Sequence, residues 1–170
     1  MTTTPRDHLV DWLRDAHAME QQAEAMLEAQ AERLDHYPQL RERIRQHIDE
    51  TRWQRAQLET CLERHGASPS MLKDLAGKLV AFGQGVGGML ASDEVVKGAM
   101  AGYVFEHLEI ASYTALIVAA EAAGDELTLD ACRQILAQEH AMAAWLLDHL
   151  PETTAAFLSR SATPGVAARH

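Results

Sequence analysis

The sequence predicts an all-α protein: a four-helix bundle with one long crossover connection between helices two and three and a short C-terminal helix. Three observations carry this. β-Branched residues are sparse while Ala, Leu, Glu and Gln abound. Apolar residues recur at spacings of three and four, the period of an amphipathic helix. Helix punctuation cuts the chain into two hairpins with tight turns, separated by a stretch too long to be one.

Thr4-Pro5 has the cap-then-proline form of a helix start, and the periodicity carries the first helix to about Leu34. The second begins near Pro38 and ends at Gly66, where a left-handed residue is easily accommodated. Residues 67–92, "ASPSMLKDLAGKLVAFGQGVGGMLAS", hold five glycines between 77 and 88, which weaken a helix that keeps some apolar spacing. This stretch reads as a connector containing a partial helix. Ser92 can cap a third helix reaching about Ala123, Gly124 closes it, and a fourth runs from about Glu126 to Leu150 before Pro151. A short last helix and the tail end the chain, giving one domain over residues 1–160 and a mobile tail over 161–170. Two hairpins joined by one long connection is the connectivity of ferritin-like bundles, whereas an up-down-up-down bundle needs only a short middle loop.

Twenty-five acids against fifteen Lys and Arg give a net charge of −10, which argues against a nucleic-acid surface and against docking on anionic lipid. The N-terminal stretch "MTTTPRDHLVDWLRDAH" lacks the basic start and apolar run of a secretory signal, and no window has the length of a membrane span. The expectation is a cytoplasmic protein. Cys61 and Cys132 belong to no CxxC and no Cys/His cluster, so they read as small core residues.

At 100° per residue, each helix has an apolar stripe with a polar residue in its middle. Leu9, Leu13, Ala16, Ala23, Leu27, Ala31 and Leu34 enclose Glu20. In the second helix Leu40, Ile44, Thr51, Leu58 and Leu62 enclose His47, with Glu50 on the flank beside Gln54 and Cys61. In the third, Val95, Ala99, Ile110, Tyr113, Ile117 and Ala120 enclose Glu106, with Glu109 to one side. In the fourth, Cys132, Ile135, Met142, Ala143, Leu146 and Leu150 enclose Glu139. All four polar positions fall near mid-helix, so antiparallel packing brings them to about one level.

A lone carboxylate in an apolar interior costs several kcal/mol, and a cluster of them repels, so the acids must take up protons or meet a cation. Lys and Arg are missing from the stripe centres. A divalent ion, or a carboxylate-bridged pair, neutralises several acids at once, and bundle cores are a known place for such sites. Carboxylate-rich ligation favours iron or manganese, with zinc as an occupant in vitro. Glu109 and Glu24 lie off their stripe centres, where a carboxylate either backs a ligand or reaches water. His17 reads as packed or exposed rather than ligating, and His107 and His140 as surface groups. Tyr113, one heptad beyond Glu106, reads as core, with a phenol that can hydrogen-bond a ligand or carry an electron.

The segments "LRDAHAMEQQAEAML", "HIDETRWQRAQLETCLERHG", "EHLEIASY" and "ILAQEHAMAAWL" resemble the YciE/YciF-type family of small bacterial ferritin-like proteins over about residues 7 to 150. The resemblance implies a ferritin-like bundle, commonly a homodimer, with a di-metal centre and an association with stress responses. It carries over Glu20, His47, Glu50, Glu106, Glu109 and Glu139 as metal ligands. One departure stands out: the chain has no Glu-x-x-His, only the reverse spacing in His17-x-x-Glu20 and His47-x-x-Glu50, and Met142 stands one turn after Glu139.

Two functions follow as expectations. The first is a di-metal carboxylate protein, binding iron or manganese and oxidising Fe(II) or consuming peroxide. The second is a metal-free helical dimerisation or interaction module, with Trp12, Trp53 and Trp145 marking a contact surface. A hydrolase has no support, because the chain has no Gly-x-Ser-x-Gly, phosphate-binding loop or dinucleotide fingerprint.

Overall fold

The computed structural model describes residues 3–66, 93–166 and 168. Four helices account for nearly all of them: α1 (Pro5–Ala31), α2 (Pro38–Arg64), α3 (Glu94–Ala123) and α4 (Glu126–Ser161). No strand occurs among the described residues.

Thr4 and Asp7 start α1 with a reciprocal capping box. The Thr4 hydroxyl accepts from the Asp7 N–H, and the Asp7 carboxylate accepts from the Thr4 N–H at 2.8 Å. The helix stops at Ala31 rather than Leu34, yet Leu34 stays buried in the turn that follows. α2 opens on Pro38, and beyond its end Gly66 has φ +88°, a conformation costly for any residue with a Cβ. Asp93, not Ser92, stands at the start of α3. Ser92 and the connector 67–92, with its crossover, lie outside the described residues.

The predicted break at Pro151 does not occur: α4 continues through it to Ser161, so the described residues hold no separate short C-terminal helix. A proline inside a helix removes one backbone donor and crowds the preceding turn. Here side chains bond the backbone on both sides of it. His149 Nδ1 lies 2.9 Å from the Trp145 carbonyl while its ring stacks on Trp145, and the Thr154 hydroxyl donates to the Leu150 carbonyl at 2.8 Å. Thr153 and Phe157 then pack inward, giving the last turns apolar contacts that a helix ending at Leu150 would lack.

Each helix packs on two neighbours, α1 on α2 and α3, and α4 on α2 and α3. At one end Arg6 reaches His65 at 3.3 Å, and Arg64 and His65 both grip Asp125 at 2.6 and 2.8 Å. At the other, Arg33 pairs with Glu94 at 2.7 Å. α2 therefore ends, and α3 begins, at opposite ends of the bundle.

The apolar interior has two parts. Leu9, Leu13, Leu58, Leu62, Leu116 and Ile135 belong to one cluster; Leu27, Leu40, Ile44, Val95, Met142 and Leu146 belong to the other. Where the two clusters meet, α2 and α4 bury polar residues: His47, Thr51 and Gln54, then Glu139. Glu20, Glu106 and Glu109 join them from α1 and α3, all fully buried. Cys61 and Cys132 are buried free thiols in the first cluster.

Asp125 caps α4 and ties it to α2. Burial opposes its charge, but bonds from Thr128, Arg64 and His65 hold its carboxyl well below the usual range. A depressed carboxylate stabilises the fold above its unfolded value, near 4, and the contribution is lost as pH falls towards its folded value. Asp125→Ala is expected to cost about 1–2 kcal/mol at neutral pH. Urea titrations should show that deficit shrinking below pH 4; a deficit independent of pH would contradict this assignment.

Candidate metal centre

The polar layer is assembled from all four helices at mid-length. Glu20 and Glu139 stand equally far along α1 and α4 from the end that Arg6 and Asp125 mark, so at 1.5 Å per residue both lie roughly 21 Å from it. His47, Glu106, Glu109 and Glu139 each contribute a ligand atom to one group, the atoms all within 4.8 Å of one another. Glu20 stands outside that group, its Oε1 accepting a hydrogen bond from the buried Tyr113 hydroxyl.

His47 is the only base among these buried groups, and both ring nitrogens face acids. Nδ1 lies 2.7 Å from Glu50, while Nε2 lies 3.2 Å from Glu106 and 3.5 Å from Glu139. Burial disfavours its charge, yet bonds to Glu106, Glu139 and Glu50 push its pKa up to about 12. Glu50 is less buried, held below the usual carboxylate range, against its partial burial, by His47 and by Arg43 at 3.1 Å. The structure does not bring Glu50 into the four-donor group; it stands behind His47.

The remaining acids are short of partners. Burial, followed by the charge of Glu139, raises Glu20 well above its ordinary value. Burial, followed by the charges of Glu20, Glu139 and Glu106, raises Glu109. Burial lifts Glu106 to about 7 despite His47. Three carboxylate oxygens, Glu20 Oε2 and both of Glu109, meet no hydrogen-bond donor among the described residues, and Oε2 of Glu106 and of Glu139 share the single Nε2 of His47 at 3.2 and 3.5 Å. Orphaned acceptors at this density fit a cation, because buried polar groups otherwise find donors. A buried group of His and Glu residues that can hold a metal ion is therefore present.

Two assignments change. Glu109, read from sequence as flanking its stripe, is fully buried and a member of the group. The buried face of α3 runs through Phe105, Glu109 and Leu116 rather than Ile110 and Ile117, which are only half-buried. Gln54, not singled out from sequence, is fully buried and donates to both Glu139 and Gln138. Its seven-residue spacing from His47 was the available signal. Glu24 is held at the surface by Arg52 and Arg55, and His17 is packed against Glu59 at 2.9 Å. His107 and His140 are exposed.

The sequence profile of a domain of unknown function, DUF892, matches residues 4–159. The chain belongs to the DUF892 family. A protein of Xanthomonas campestris pv. campestris, known from a crystal structure, is similar at 43% identity, with a TM-score of 0.83 over 94% of this chain and all of that one. YcfI of Rhodopseudomonas palustris is similar at 25% identity, with a TM-score of 0.70 over 85% of this chain and 93% of that one. This DUF892 chain thus shares its helical fold with solved relatives along nearly its whole length.

Glu106 and His47 both bind protons more tightly folded than unfolded, across 4.5 to about 7 and from 6.5 to about 12. A raised folded value stabilises at low pH and is lost as pH rises, so both act in the same direction. In chelator, the melting temperature is expected to fall from pH 5 to pH 8, and a divalent cation should reverse the fall. A profile flat in both conditions would contradict this charge balance.

Proposed function

We propose that this chain is a ferritin-like di-metal carboxylate protein that binds iron or manganese, in which glutamates serve as terminal and bridging ligands. The observation that carries the reading is the buried layer of four glutamates around a single histidine, in which Glu20 Oε2 and both oxygens of Glu109 meet no donor among the described residues. The opposite placement of the end of α2 and the start of α3 supports the ferritin-like connectivity. One imidazole and several carboxylates form a hard donor set, which favours Fe(II) and Mn(II), with zinc as an in vitro substitute.

In this reading His47 Nε2, Glu106, Glu109 and Glu139 hold the first ion, and Glu20 serves the second. Glu50 is the carboxylate that accepts the Nδ1–H of His47, fixing the tautomer that presents Nε2 to a metal, with Arg43 steadying it from outside. Gln54 donates to Glu139 and fixes the direction of its carboxylate. The two apolar clusters exclude water from the layer. Bound iron would supply one-electron redox chemistry, suited to oxidising Fe(II) or consuming peroxide in a stress response. The chain's own groups set geometry, and the acids and His47 give up protons as a cation enters.

Elemental analysis of untagged protein, followed by calorimetric titration with Fe(II) or Mn(II), is expected to give uptake near two ions per chain. Glu106→Ala and Glu139→Ala should each abolish stoichiometric uptake. Unchanged metal content in both variants would remove this site from consideration.

The proposed homodimer uses α3. Val104, Leu108, Ala111, Ala115 and Val118 are exposed at spacings of three and four, beside a groove between α1 and α3 lined by Trp12 and Phe105. Such a seam of small and branched residues suits a second helix packed against it. This surface is also what favours the alternative reading, a metal-free dimerisation module. Light scattering should give a dimer mass for the wild type and a monomer for Val104→Glu/Val118→Glu; a monomeric wild type would count against the seam.

A further inference from the structure

Glu20 and Tyr113 stand apart from the four-donor group in a way that bears on how the site fills. Tyr113 lies on α3 one turn beyond Glu109, and its side chain is fully buried. Its hydroxyl is the only donor that Glu20 meets among the described residues, and it takes Oε1. Oε2 of the same carboxylate has no donor. A phenol carries one hydrogen, so this bond commits it fully and restrains the carboxylate it serves through one oxygen.

The four-donor group needs no such help. Its ligand atoms already lie within 4.8 Å of one another, and His47 is braced separately by Glu50. An ion entering there meets donors from α2, α3 and α4. An ion entering on the α1 side meets Glu20 with one oxygen held by Tyr113 and one oxygen open, beside the donorless oxygens of Glu109. The two positions therefore differ in donor number and in how their donors are held.

We propose that the site fills in two unequal steps, and that Tyr113 is the positioning residue for the second: its hydroxyl holds Glu20 Oε1 so that Oε2 is presented to the second cation. The inference rests on the di-metal reading above and extends it by giving the two positions an order and naming a residue that governs only one. Partners that orient a ligand typically carry 10–100-fold in metal affinity, so the phenol should have an effect of that size on one step alone.

The test is Mn(II) titration of the full chain by calorimetry, with near-ultraviolet absorption followed in parallel. Wild-type protein is expected to give two resolved steps, with a tyrosine difference signal that follows the second equivalent and not the first. Tyr113→Phe, which keeps the ring and removes the hydroxyl, should leave the first step within about twofold, weaken the second by about 10–100-fold and lose the optical signal. Glu20→Gln should remove the second step alone. Two equal steps, a single step, or a Tyr113→Phe change that is absent or spread equally over both steps would overturn the inference while leaving metal binding in place. No uptake by the wild type would overturn both readings.

Discussion

The interaction on which the rest of the structure depends is the mutual repulsion of four buried glutamates, Glu20, Glu106, Glu109 and Glu139, gathered around one imidazole. Burial alone disfavours each charge, and proximity multiplies the penalty, since every ionised neighbour raises the cost of the next. One histidine cannot neutralise four acids. His47 balances the part of the layer formed by Glu106 and Glu139, and the donorless oxygens of Glu20 and Glu109 mark the part it leaves unbalanced. Proteins keep such an arrangement where it serves chemistry, because apolar residues of similar volume would be more stable.

The fold holds the acids together against this repulsion by closing the bundle at both ends. Asp125 gathers Arg64 and His65 where two hairpins meet, and Arg33 with Glu94 joins α1 to α3 at the far end. Between these ends, the two leucine-rich clusters supply the burial that offsets the polar layer. The helices are long for a globular domain, and their length lets one polar layer at mid-height sit between apolar layers above and below.

Much of this could be read from the sequence, and the exceptions have physical causes. The stripe on α1 is regular, and every residue assigned to it is buried around Glu20. α3 resisted the same reading because it is apolar on nearly every side: Met100, Val104, Leu108 and Val118 are exposed, so periodicity could not fix which face turned inward. Glu109 was therefore placed on the flank. The role of Glu50 was hidden for another reason. Spacing places His47 and Glu50 one turn apart, but only side-chain geometry shows that the acid faces Arg43 and the back of the imidazole. Pro151 carried a strong breaking signal, overridden by tertiary packing of Thr153 and Phe157. Gln54 and Tyr113 bond carboxylates on other helices, Glu139 and Glu20, and periodicity, which puts both residues on buried faces, does not name these partners.

The central claim is that a metal balances the buried acids between His47 and the glutamates of α3 and α4. Anomalous diffraction at the iron and manganese edges, from crystals grown without chelator in the presence of both ions, tests it most directly. The account predicts a peak within bonding distance of His47 Nε2 and the carboxylates of Glu106, Glu109 and Glu139. A well-ordered layer with no anomalous peak, the carboxyls hydrogen-bonded to one another or to water, would contradict it.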